Sequence, residues 1–451
     1  MAQPRIIVIG AGPSGVRAAE ELVRAGVRPV VIDEGRRDGG QIYRRQPEGF
    51  HRGYEALYGT EAERAMALHG AFDALRQHVD YRPDTLAWNI AEGRVWTNCN
   101  GAVEALEYDA LLLCTGATDR LMPVRGWQFA GTFSLGAAQV ALKAQGCAVG
   151  SRVAFLGSGP LLYLVAAQYV KAGAEVACVL DTAPALARIA ALPRLLSQPG
   201  VLWNGVRLTR DLKRAGVPVH YGVEPLEILG DPETGVSGLR FRAGGAEHEL
   251  ACDAVAMGWH LRPETQLADL ARCAFRFDAA TRQWLPEQDR DGRSSVPGVY
   301  LAGDGARILG ARSAEASGRL AALAALSDLG TAITDPAPLR AEVAEYGRFA
   351  AGLAQAFPWP HEQAAALPDD TVLCRCEGVT VGEMRQVDAR EANRAKAFNR
   401  VGMGRCQGRY CGLAGAEVLA AALGVPVEDV GRLRGQAPVK PLSISAAEIE
   451  A

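Results

Sequence analysis

The chain opens on an unbroken apolar run, Arg5-Ile-Ile-Val-Ile9, which stops at Gly10. Apolar residues then recur at helical spacing, at Val16, Ala19, Leu22 and Val23. The first stretch predicts a short buried strand and residues 16–25 a helix. Between them lies Gly10-Ala-Gly12-Pro13-Ser14-Gly15, and a second apolar run, Pro29-Val-Val-Ile32, ends in Asp33 and Glu34. Strand, glycine turn and helix in that order form a dinucleotide-binding fingerprint: backbone N–H groups and the positive end of the helix dipole meet a pyrophosphate. A carboxylate closing the second strand takes the ribose hydroxyls, with Glu34 the first choice and Asp33 its rival.

The layout repeats. Arg152-Val-Ala-Phe-Leu156 runs into Gly157-Ser-Gly159-Pro160-Leu-Leu162, then a helical stretch, then Val176-Ala-Cys-Val-Leu-Asp181. Residues 121–289 are therefore expected to form a second Rossmann-like domain, inserted into a first one split into 1–120 and 290–330. The repeat is imperfect, because Leu162 stands where a third glycine would allow close packing and Pro160 removes a donor beside the phosphate position. Two readings stay open. Either Gly157, Gly159 and Asp181 bind NAD(H), or the fold is inherited without a hydride role and holds a different nucleotide.

Residues 331–368 carry Pro336, Pro338, Pro358, Pro360 and Pro368, which predicts a connection of helix and loop with Phe357 and Trp359 packed inside it. Beyond it come Cys374-x-Cys376 and Cys406-x4-Cys411, the second pair set among glycines 402, 404, 408 and 412. Four thiolates in two tight pairs can hold a metal centre, and glycines let the backbone wrap sulfur and aim N–H groups at it. Arg375, Arg405 and Arg409 bring positive charge, an expected means of raising a cluster's reduction potential. Iron–sulfur, zinc and inert thiols are the alternatives, although Cys-x-Cys is tight for zinc geometry.

Composition narrows the class. The chain has 451 residues, 49% of them hydrophobic and 22% charged, with a net charge of −3. That length calls for two or three domains, and the charge argues against a nucleic-acid partner. Only five of the 48 basic residues are Lys, which reads as genomic composition. No apolar run reaches membrane-spanning length and the first strand leaves no room for a signal peptide, so a cytoplasmic location is expected, with any inner-membrane association peripheral and through a complex. Cys99, Cys114, Cys147, Cys178, Cys252 and Cys273 are scattered singly and read as buried small hydrophobes. The seven histidines form no metal-spaced set, and His260, which follows a predicted strand, is the one that could face a cofactor.

Three further segments carry a resemblance. Gly39-Gly40-Gln41-Ile-Tyr43, Cys114-Thr115-Gly116-Ala117 and Ala302-Gly303-Asp304-Gly305 resemble, in order and spacing, the glycine pair, the "ATG" segment and the "GD" segment of flavoproteins with two dinucleotide-binding domains. The resemblance implies FAD, with Asp304 bonded to the ribitol chain and the helix at 314–322 pointing its N-terminus at the flavin. No cysteine pair lies in Gln41–Gln46, so disulfide reduction is not expected. Residues 369–435 resemble the bacterioferritin-associated-ferredoxin-like domain, a small α-rich fold, which implies a [2Fe–2S] cluster on Cys374, Cys376, Cys406 and Cys411 and leaves 436–451 as a C-terminal tail.

Taken whole, from Gly40-Gln-Ile-Tyr-Arg44 to Gly404-Arg-Cys-Gln-Gly-Arg-Tyr-Cys411, the chain is similar to the α (A-type) subunits of heteromeric amino-acid and opine dehydrogenases. That group includes hydroxyproline dehydrogenase, octopine and nopaline oxidase and hydrogen cyanide synthase. The similarity implies an FAD-dependent oxidoreductase subunit for CH–NH or CH–NH2 donors, working with a β-type flavoprotein subunit that carries the substrate site, with room for a small third subunit. A stand-alone NAD(P)H-dependent reductase with FAD and a [2Fe–2S] cluster is the alternative.

Overall fold

The computed structural model describes residues 4–447. The apolar run Ile6–Ile9 lies at the centre of a five-stranded parallel sheet ordered Val299–Leu301, Ala110–Leu113, Ile6–Ile9, Val30–Ile32, Asp80–Arg82. Covered on both faces, its inner strands read as continuous Ile, Val and Leu rather than as an alternating pattern. The helix Pro13–Arg24 starts on a proline whose missing N–H is no loss in a first turn. It packs on the helix Ala311–Asp328 so closely that a Cβ at Gly318 would lie 2.0 Å from the Ser14 carbonyl oxygen, an approach only glycine allows.

A second five-stranded parallel sheet is ordered Val219–Tyr221, Glu175–Asp181, Arg152–Ser158, Ala254–Trp259, Thr132–Ser134. It is drawn wholly from chain lying between strands of the first. The repeat extends further than the sequence pattern suggests, since each sheet has a three-stranded antiparallel companion, from Thr85 to Glu107 and from Glu224 to Ala251. The two connections between the sheets run together as an antiparallel pair, Ala117–Asp119 against Leu261–Pro263.

The proline-punctuated segment consists of helix and loop. Ala337–Ala356 is one 20-residue helix, with Pro338 in its first turn, where proline is tolerated, and Pro336 and Pro358 beyond its ends. Phe349 and Ala356 bury it against Ala191 and Leu195 of the helix Ala185–Leu195. Trp359 is core, with the Arg120 guanidinium 3.9 Å from its ring centroid.

Residues 369–435 hold a short hairpin, Val372–Cys374 with Val379–Thr380, and four helices, Val381–Arg385, Ala392–Asn399, Gly412–Leu423 and Val427–Val430. Their Leu373, Val381, Val418 and Leu419 share one apolar core with Trp127, Leu156 and Trp259 of the second sheet's region. The segment after 435 is no free tail within the described residues. Val439 N–H donates to the Trp88 carbonyl at 3.1 Å and Lys440 pairs with Glu34. The scattered cysteines depart in part from the expectation of burial, because Cys147 is exposed and Cys99 half-exposed, while Cys114, Cys178, Cys252 and Cys273 are buried. No helix among the described residues is long and apolar enough to cross a membrane.

Candidate functional site

The first glycine turn is held from three sides. Gly10 N–H donates to the Ile32 carbonyl at 2.7 Å and Gly39 N–H to the Ala11 carbonyl at 2.9 Å. The Asp33 carboxylate accepts from Ala11 N–H at 2.5 Å and from Gly35 N–H at 2.6 Å. Burial holds this carboxyl above the usual carboxylate range in spite of those bonds. Asp33 thus braces the turn, which leaves Glu34, exposed and paired with Lys440, as the acid at the strand end that solvent and a ribose can reach.

Around the turn the glycines divide into two kinds. A Cβ on Gly15 would fall 1.7 Å from the Gly10 carbonyl oxygen, so that position is closed by the fold itself. A Cβ on Gly12 meets nothing nearer than the Gly40 Cα at 3.6 Å, so the space there is free for a ligand. Gln41 is exposed and accepts from Arg44 at 2.8 Å. Ser14 is buried beside Gly303, where a Cβ would come within 2.7 Å of its hydroxyl. Asp304 accepts from the N–H groups of Leu309 and Gly310 at 2.9 and 3.0 Å through Oδ1, which ties down the loop that enters the helix Ala311–Asp328. In that helix's first turn the Ser313 hydroxyl is 1% exposed and has no protein partner. Clear space over Gly12 with an orphaned hydroxyl at a helix N-terminus fits a dinucleotide such as FAD.

The second turn is filled by the chain's own side chains. Gly157 and Gly159 adopt φ of +142° and +107°, as a tight turn requires, but the His260 ring lies 3.2 Å from where a Gly159 Cβ would be. His260 donates from Nε2 to the Phe357 carbonyl at 3.1 Å, and burial pulls it down to about 4, so it is neutral at pH 7. Asp181 is fully buried and accepts from Tyr163 Oη at 2.5 Å, from Ala183 N–H at 2.8 Å and from the Arg188 guanidinium. Arg188 is packed in turn between the rings of Tyr221 and Phe357, 4.5 and 5.1 Å from their centroids. Of the two readings left open for this turn, these contacts favour the one without a hydride role: the Asp181 carboxylate is already occupied and closed off from a ribose. His260, for its part, sits over this second turn and not over the first.

The four clustered cysteines meet. Their thiols neighbour one another, Cys376 with Cys406, Cys406 with Cys411 and Cys411 with Cys374, and each shifts the next one's ionisation. Among the described residues, no three His, Cys, Asp or Glu side chains close around one point that could hold a single ion. The neighbouring Cys411 thiol pulls Cys406 down to about 5 and Cys374 to about 6, while Cys411 itself is pushed well up by those two sulfurs. Backbone N–H groups of Gly402 and Glu377 point at the Cys374 sulfur, and those of Tyr410 and Gly408 at Cys406. Gly404 is required here, since a Cβ would lie 2.3 Å from the Cys376 Cβ. Facing thiols surrounded by aimed donors suit an anionic cluster.

The expected arginines behave differently from one another. Arg405 is exposed, and Arg375 reaches to the Thr132 carbonyl at 3.4 Å and lies by the Trp127 ring. Arg409 alone is buried at the loop, and Glu264 neutralises it. Two cations that sequence reasoning missed also act on the sulfurs: buried Lys396 interacts with Cys411, and Arg262 with Cys411 and Cys406. Neither lies within any cysteine motif, so no local signal could mark them.

Comparison with known proteins agrees with this geometry. The family model for pyridine nucleotide-disulphide oxidoreductases matches residues 4–321. The A-type subunit of the opine oxidase of Rhizobium meliloti is 38% identical over 98% of this chain and 86% of its own length. Hydrogen cyanide synthase subunit HcnB of Pseudomonas aeruginosa is 32% identical over 98% of both chains. The crystal structure of L-proline dehydrogenase from P. horikoshii shares the fold at a TM-score of 0.73, with 19% identity, over 99% of this chain and 80% of that one. A family match across most of the chain, with whole-length relatives above 30% identity, makes it an FAD-dependent member of the pyridine nucleotide-disulphide oxidoreductase family, in the group of the opine oxidase A-type subunits.

Proposed function

We propose that the chain is the electron-transfer subunit of a heteromeric amino-acid or imino-acid dehydrogenase of the hydroxyproline or opine type, with the donor oxidised on a partner flavoprotein subunit. The observation that carries this reading is the meeting of four thiols, two from the hairpin at Cys374 and Cys376 and two from the Cys406–Cys411 loop, which Glu264 fastens to the flavin-side segment Thr115–Gly116. Bound FAD would supply two-electron chemistry, and a [2Fe–2S] cluster on Cys374, Cys376, Cys406 and Cys411 would give it a one-electron outlet. Gly12 and the N-terminus of Pro13–Arg24 leave space and dipole for a pyrophosphate, Glu34 would take the ribose by exchanging its exposed pairing with Lys440, and Asp304 would face the ribitol side. The named relatives are subunits of an oxidase and of a synthase, which favours a hetero-oligomer. Leu186, Ile189, Leu196 and Trp203 support it too: they are 60–77% exposed on two consecutive helices and the turn between them, as a face that docks a protein partner would be.

The isolated chain is expected to oxidise amino-acid, imino-acid and opine donors at a rate on the order of a hundredfold below the complex, because substrate positioning rests with the partner. Dye reduction by highly purified single chain with proline, hydroxyproline or an opine, at the rate of the complex, would overturn this reading.

The stand-alone reductase reading requires a working second nucleotide turn, and Arg188 and His260 stand against it. NADH is therefore expected to leave the flavin of the isolated chain oxidised in an anaerobic stopped-flow trace. Rapid bleaching at 450 nm, roughly the flavin band, would restore that reading.

A further inference from the structure

Glu264 occupies a position that neither the glycine motifs nor the cysteine motifs point to. It follows the strand Leu261–Pro263, which pairs with Ala117–Asp119 on the way out of the first sheet. Its backbone belongs to the flavin side: Glu264 N–H donates to the Gly116 carbonyl at 3.0 Å, and the Thr115 hydroxyl donates to the Glu264 carbonyl at 2.6 Å. Its side chain belongs to the cysteine side. The carboxylate takes Arg409 with both oxygens, Nε to Oε2 at 2.6 Å and Nη2 to Oε1 at 3.1 Å, with the two side chains 15% and 8% exposed. Arg409 passes the contact on, donating from Nη1 to the Cys406 carbonyl at 3.2 Å and the Val439 carbonyl at 2.8 Å. Two neighbours repeat the pattern. Arg262 donates to the Arg409 carbonyl at 2.9 Å and Gln266 to the Gln407 carbonyl at 2.8 Å.

We propose that Glu264 is a positioning residue that seats the Cys406–Cys411 loop on the flavin-side segment and, by neutralising Arg409, holds down the reduction potential of the centre those cysteines carry. The proposal rests on the reading of the four cysteines as an iron–sulfur site. A two-pronged carboxylate–guanidinium pair fixes orientation as well as distance, which a single bond does not. In a buried setting, removal of either partner leaves the other's charge uncompensated beside the sulfurs. Nearby charge is one of the main levers on the potential of such a centre, so the two removals act with opposite sign.

The test uses the full-length holoprotein and a redox titration followed by the EPR signal of the reduced centre, with flavin and iron content measured for every variant. E264Q is expected to raise the midpoint potential, R409Q to lower it, E264D to stay near wild type, and the double variant E264Q/R409Q to return toward it. A purely structural bridge would move E264Q and R409Q in the same direction, and that result would overturn the proposal. Loss of iron from E264Q with retention in E264D would support the seating role, because only the charge-keeping variant preserves the clamp. Iron present throughout with potentials unchanged would overturn this proposal alone. A wild-type chain that holds no iron would instead overturn the cysteine reading beneath it, and this proposal with it.

Discussion

Replacement of Gly12 by valine is expected to strip the flavin from the purified protein while leaving the fold intact. Gly12 has φ −79° and ψ −172°, an extended conformation that any residue adopts, so the backbone imposes no strain. Its Cβ would meet only the Gly40 Cα at 3.6 Å, an ordinary contact. The added methyl groups therefore enter the space through which a pyrophosphate must approach the turn. Loss of affinity on the order of a hundredfold or more follows, about 3 kcal/mol at about 1.4 kcal/mol per tenfold. Gly15→Ala is the contrasting control, because its Cβ would sit 1.7 Å from the Gly10 carbonyl oxygen, a backbone atom that cannot turn aside. That variant should fail to give folded protein. A Gly12→Val protein with a native circular-dichroism spectrum that keeps its full yellow colour after desalting would show that the flavin lies elsewhere.

What sequence reasoning reached and what it missed divide along contact distance in the chain. The glycine turns, the paired acids and the cysteine spacing are local patterns, and each had a physical requirement that could be stated residue by residue. The choice between Asp33 and Glu34 was not local. It depends on Asp33 turning back to Ala11 N–H, 22 residues earlier, which no pattern at the strand end records. The closure of the second turn depends on Phe357, 97 residues beyond His260, and on Arg188 folding back onto Asp181. Glu264 and Arg409 are 145 residues apart, and in sequence each is an ordinary charged residue. In the segment 331–368 the prolines are local marks as well: helix and loop follow from them, and their positions at helix ends permit the helix Ala337–Ala356 between them.

Cys376→Ser is expected to abolish the EPR signal of the reduced centre and its iron while leaving the flavin bound. Serine matches the thiol in shape, but its hydroxyl does not ionise near neutral pH, so it cannot replace a thiolate ligand. The position separates ligand loss from fold loss. Cys376 is exposed and Cys411 is 1% exposed within the core, so a hydroxyl is tolerated at the first and leaves an unpaired polar group at the second. The contacts of Cys406 with Cys411 and of Cys411 with Cys374 do not pass through residue 376, so the remaining thiols keep their arrangement. Flavin retention follows because the turn Gly10–Gly15 and the loop around Cys376 share no residue and belong to different apolar cores. A spectrum that keeps the flavin bands and loses the broad cluster absorption, together with iron analysis, checks both halves. Full iron in the variant would remove Cys376 from the ligand set, and zinc without iron in anaerobically prepared wild type would replace the electron-transfer role of these cysteines with a structural one.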